Sequence, residues 1–168
     1  MNGAARKWTN QLLVWARTEL EEQRALMAAL DEQERCVSGG DPDAISTASA
    51  ALVERLEAEL ERRGRLTRIF ERLAGEMGLP ASVLTLGSVA ERLGGGPAAT
   101  RPDPLAQQLF DLRVELRAAV ERVRDRAREV AAIAGMQRSV VRDVLSALLS
   151  DEHGNPVHTD GTLIDAQA

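Results

Sequence analysis

The chain is poor in aromatic residues. Its 168 residues include no Tyr, and Trp8, Trp15, Phe70 and Phe110 are its only Trp and Phe residues. A core of Leu, Val and Ala suits thin, elongated helix packing better than a thick globular interior, and it leaves apolar seam available for a partner. Cys36 is the single cysteine, which excludes an internal disulfide and reads as a small, half-buried apolar residue near the end of a helix. Two histidines, His153 and His158, both lie in the last eighteen residues beside Asp151 and Asp160, where they read as solvated tail residues and not as metal ligands. Met1 to Thr9 lacks the apolar core of a signal peptide. No apolar run approaches the roughly 18 residues a membrane span requires. The expectation is a soluble, cytoplasmic chain with no membrane insertion. Clustered positive charge is missing too. The formal net charge is -5, which argues against neutralising the phosphates of nucleic acid. No nucleophile elbow, P-loop, dinucleotide fingerprint or Cys/His pair occurs, so neither catalytic nor cofactor-binding nor metal residues are assigned and an enzyme is not expected.

What is present is helix. About half of the residues are Ala, Glu, Lys, Leu or Arg, the composition of long helices and coiled coils. The dominant stretch is Pro104 to Leu149. Its apolar residues fall mostly at steps of three and four: Leu105, Leu109, Leu112, Leu116, Val120 and Val123, then Ala127, Val130, Ala134, Val141, Val144 and Leu148. No proline interrupts it. Such a helix is about 70 Å long and cannot bury its own seam, so it needs partner helices from this chain or another.

Two further long helices supply candidates. The first covers about 4–37. It carries one seam through Leu13, Ala16, Leu20, Met27, Leu30 and Val37, with Gln23 and Glu34 as polar members, and an adjacent stripe of Trp8, Leu12 and Trp15. The two Trp residues read as bundle core, with a partner contact as the functional alternative. Glu19, Glu21, Glu22, Asp31, Glu32 and Glu34 read as a solvated acidic face. Ser38-Gly39-Gly40 ends this helix, and Asp41-Pro42 is good chemistry for starting the next. The second helix covers about 42–77, up to Gly78-Leu79-Pro80. The connection is short, so the two helices should run antiparallel. Gly64 is a weak point in the second helix, costing roughly 1 kcal/mol against Ala. The pairs Glu59–Arg63 and Glu61–Arg65 offset part of that cost. A short helix over 82–93 follows, bounded by Gly94-Gly95-Gly96-Pro97. Arg101-Pro102-Asp103-Pro104 leads into the last helix, with Thr100 or Asp103 as its cap. This connection is long enough to run the length of a bundle, so the direction of the last helix stays open. The basic residues Arg122, Arg124, Arg126 and Arg128 alternate with Glu121, Asp125 and Glu129 as a mixed surface. The fold expected is all-α: an elongated antiparallel helical bundle or coiled coil of three long helices plus one short helix, forming one domain over 1–150. Residues 151–168 form a tail, flexible or folded as a small hairpin over Pro156 to Ile164.

In order of elements the chain resembles the FlgN family of flagellar export chaperones. The residues that carry this are the helix end Cys36-Val37-Ser38-Gly39-Gly40-Asp41, the opening Asp41-Pro42-Asp43-Ala44-Ile45, the run Leu52 to Leu73 and its stop at Gly78-Leu79-Pro80. The long third helix and the tail with Asp160-Gly161 also look like the family's ending. The chain departs from the family in having no Asn between Leu105 and Leu149, and His158 where an aromatic residue often precedes the Asp-Gly. The resemblance implies a cytoplasmic chaperone of type III flagellar secretion, without ATPase activity and needing no cofactor. It implies binding to C-terminal helical segments of the hook–filament junction proteins FlgK and FlgL, and delivery of them to the export apparatus. It places the partner-binding region in the C-terminal part of the chain. Here those residues are Ile133, Val140, Val141, Val144, Leu145, Leu148 and Leu149, where the stripe is wider than one seam needs and suits a helix-in-groove mode. The rival expectation is that the short helix over 82–93 covers this wide face. The rival function is a structural coiled coil that self-associates through the same seam.

Overall fold

The computed structural model describes residues 3–94 and 103–148, with the side chains of Ala4, Ala147 and Leu148 left aside. Among the described residues the fold is all-α, with no strand: α1 (Gly3–Gly39), α2 (Pro42–Met77), α3 (Leu86–Arg92) and α4 (Pro104–Leu148). The ends follow from local chemistry. Gly40 takes φ 71°, which closes α1 without the strain a side chain would meet. Asp41 then caps α2, its carboxylate accepting from the amides of Asp43 and Ala44, with Pro42 at the first position. Gly78, at φ 64°, terminates α2 in the left-handed conformation. Asp103 caps α4, accepting from the Leu105 amide at 2.8 Å; the other candidate, Thr100, lies outside the described residues.

The short helix differs from the expectation. Residues Ala81–Val83 form one 3-10 turn, and α3 begins only at Leu86. Thr85 makes the break. Its backbone is extended, at φ -133° and ψ 164°, and its hydroxyl accepts from the Ser88 amide while Ser88 Oγ accepts from the Thr85 amide. This reciprocal capping box starts a new helix and prevents a continuous one over 82–93.

Helix α1 is the central element. Helix α2 lies antiparallel to it, with Trp15 and Glu19 beside Arg62 and Gln33 beside Ser49. Helix α4 lies parallel to α1, because Arg17 bonds to Gln108 and Asp31 to Arg126. At one end Leu12, Leu73, Leu84, Val89, Ala90 and Leu109 form the largest core cluster, which closes α3 onto the bundle. Further along, Leu20 packs on Leu116 and Ala119, and Leu30 on Val123 and Val130. Helices α2 and α4 each pack extensively on α1 and barely on one another.

The acidic face expected on α1 is not solvated throughout. Glu19 is buried among apolar residues and bonds to Arg62 Nε at 3.0 Å, with the Gln23 amide donating to its other oxygen at 2.8 Å. Arg62 reaches Glu22 as well, at 3.6 Å. Asp31 and Glu34 both accept from Arg126 of α4, which also holds Glu129 at 3.0 Å. The hydrogen bond to Glu129, then that to Asp31, raises the Arg126 guanidinium above its ordinary pKa against the opposing effect of desolvation. Arg126 is therefore a permanent cation joining the two helices and not part of a merely mixed surface. Of this acidic set Glu21 and Glu32 are exposed and take no part in these interhelical contacts; Glu32 pairs with Arg35 of its own helix.

Candidate partner-binding surfaces

Partner contacts joining α1 to α4 differ by 91 to 95 in residue number. The end of α1 at Gly39 is therefore level with about residues 130–134 of α4. Beyond that level α4 continues for about 14 residues, or roughly 20 Å, past the α1–α2 turn. The sequence-predicted binding residues fall on this overhang. Val140, Val141, Val144 and Leu145 are 51–62% exposed. Ile133, at its root, is half-buried. Leu148 is the last residue of α4, one turn beyond Val144 and Leu145, and Leu149 lies outside the described residues. Val141, Val144, Leu145 and Leu148 have the i, i+3, i+4, i+7 spacing of a helix that lays one face on another. Met136, 62% exposed, extends the apolar surface back toward the body.

The short helix does not cover this face. Val89 and Ala90 of α3 pack with Leu109, near the opposite end of α4, and the guanidinium of Arg113 lies over Gly87 so closely that a Cβ there would stand 2.8 Å from it. Helix α3 thus closes the far end of the bundle, away from the overhang.

A second apolar surface was not anticipated. Because α2 and α4 pack on α1 without closing on each other, a trough runs between them with α1 as its floor. Two adjoining hollows of about 480 and 500 Å³ share Trp15, Leu66, Leu116, Val120 and Arg124. Trp15 is half-buried; its Nε1 donates to the Arg62 carbonyl at 3.0 Å, which fixes the ring at the floor. The seam of α4 is not closed along its whole length: Val120 is 38% exposed, and Leu56 across the trough is 50% exposed. One signal for this lay in the sequence: the α2 seam includes Leu56 and Leu60 in a stretch flanked by charge, with fewer large apolar residues than three mutually packed helices would need.

No group of three or more His, Cys, Asp or Glu residues among those described is placed to hold a metal ion. His153 and His158 lie outside the described residues. Cys36 is half-buried, and its thiol is pushed above the ordinary value by desolvation first and by the Glu32 carboxylate second. That disfavours the thiolate a nucleophile requires. No helix among the described residues is long and apolar enough to cross a membrane. Comparison with known proteins finds no matching family model, no matching curated protein and no matching solved structure.

Proposed function

We propose that this protein is a binding protein that holds helical segments of other chains, and specifically a cytoplasmic flagellar export chaperone of the FlgN kind. In this reading it is not an enzyme. It keeps the C-terminal helical segments of hook–filament junction proteins of the FlgK and FlgL type in an export-competent state and presents them to the export apparatus. The resemblance of elements and turns suggests the family. The observation that carries the binding function is the overhang of α4, which exposes Val140, Val141, Val144 and Leu145 beyond the level at which α1 ends. A client helix laid on this face would bury surface that is otherwise in water, at about 25 cal/mol per Å² of apolar area.

Val144→Asp combined with Leu145→Asp tests the reading. Both side chains are exposed, so the helical circular dichroism and the melting temperature of the free protein should stay close to those of the parent. Calorimetric affinity for a C-terminal segment of a FlgK-type protein should fall by more than about tenfold, equivalent to 1.4 kcal/mol. Unchanged affinity would remove the site. The same exposed face also suits self-association as a coiled coil. Sedimentation separates the two: a stable dimer at low micromolar concentration that the double substitution dissociates, with no client binding by the parent, would favour the structural reading.

A further inference from the structure

The trough between α2 and α4 is distinct from the α4 overhang; Val120 and Val144 are 24 residues apart on one helix, about 36 Å. Its two walls carry matching periodicities. On α4 the residues facing it include Leu116, Val120, Val123 and Ala127, and on α2 they include Leu52, Leu56, Glu59 and Leu66. These are the alternating three- and four-residue steps of coiled-coil seams, spaced to accept the side chains of a further helix. From Arg113 to Ala127 the α4 wall is about 21 Å long, or four helical turns. The electrostatics are as specific as the shape. Along the rim Arg63 is paired with Glu59, and Arg117 with Glu121. Arg113 lies 5.8 Å from the Phe110 ring, and neither it nor Arg124 has a carboxylate partner among the described residues. In a chain of net charge -5, the apolar trough is flanked by uncompensated cations.

We infer that the trough receives an amphipathic helix of about 14 residues from another protein, with an apolar stripe flanked by Asp and Glu, completing a four-helix arrangement over α1. The acidic flanks meet Arg113 and Arg124 while the stripe covers Trp15, Leu116 and Val120. This is a second binding surface, and it stands whether or not the overhang of α4 holds an export client.

Two synthetic helices with the same leucine stripe, one flanked by Glu and one by Lys, test this against the full-length protein by fluorescence anisotropy. The Glu-flanked helix should bind at least about tenfold more tightly, with an advantage that shrinks as salt screens the rim. Arg113→Glu with Arg124→Glu should abolish or reverse the preference, with helical circular dichroism retained. Val144→Asp with Leu145→Asp should leave it unchanged. Equal binding of the two helices, or a preference that survives the arginine reversal, overturns the proposal. So does loss of binding in the Val144/Leu145 variant, which would place the helix on the overhang. Residues 149–168 carry Asp151, Glu152, Asp160 and Asp165 and no Lys or Arg. If a peptide of that segment displaces the Glu-flanked helix and binds more tightly than it, the trough belongs to the chain's own C-terminal segment and the external partner is refuted. A dimer that Arg124→Glu dissociates would likewise assign the trough to a second copy.

Discussion

Glu19 and Arg62 show what a charge does inside a helical seam. Their side chains are 9% and 13% exposed, and they join α1 to α2 within the apolar layers. Replacing such a pair by apolar residues of similar size is often close to neutral, because the desolvation cost of both charges disappears with their attraction; removing one partner strands the other. Arg62→Ala should therefore destabilise the protein by about 3 kcal/mol. The double variant Glu19→Leu with Arg62→Leu should be much less destabilised than the sum of its single changes. Urea unfolding of the four members of the cycle measures this coupling. Additive effects would mean that the pair contributes no interaction of its own. Neither role was legible in the sequence. Glu19 stands among five other acidic residues of the same helix, and only the register of α2 against α1 selects it for burial. The same holds for Asp31, Glu34 and Arg126: their pairing across α1 and α4 needs the parallel alignment, which the long connection between α2 and α4 left open.

At the scale of elements, three long helices were legible, because the chemistry at their ends is local. Asp41-Pro42 and Gly78 act within one turn of themselves, and α2 begins and ends where they stand. The short helix was the exception, because one reciprocal pair, Thr85 with Ser88, restarts the backbone inside an otherwise apolar run. Its docking site depends on packing at a distance, so the apolar pattern of the segment gave no hint that it would cover Leu109 and not Val140. Gly64 tests how far local propensity governs α2. The helix continues through it, a Cβ built there meets nothing within 4 Å, and Arg63 and Arg65 pair with Glu59 and Glu61 on either side. No positive φ or close approach requires glycine. Gly64→Ala should stabilise the protein by about 1 kcal/mol through helix propensity alone, read as a higher urea midpoint at unchanged m-value. A decrease in stability would mean that α2 needs the glycine for a bend or contact absent from this conformation.

The whole molecule is a central helix with neighbours on two sides, closed at one end by α3 and extended at the other by α4. This arrangement predicts uneven stability along a single helix. Between Leu109 and Val130, α4 buries its seam against α1, and opening there exposes the core clusters. Past about residue 134 no α4 residue belongs to these core clusters, and Val140, Val141, Val144 and Leu145 face water. An isolated helical segment of about 14 residues is marginal, because nucleation is costly and each further residue adds little. Gly135, at the root of the overhang, lowers local helix propensity further. Amide hydrogen exchange on the free protein should therefore show strong protection over 109–130 and weak protection over 136–146, with the transition near Gly135. A client helix on the overhang should raise protection in the second region while changing the first little, since the core already has its partners. A ligand in the α2–α4 trough should do the reverse, slowing exchange around Leu116 to Ala127 and leaving the overhang as it was. Uniform protection along α4 in the free protein, at concentrations low enough to exclude association, would contradict this division. Protection of the overhang that grows with protein concentration would instead show that a second copy covers it.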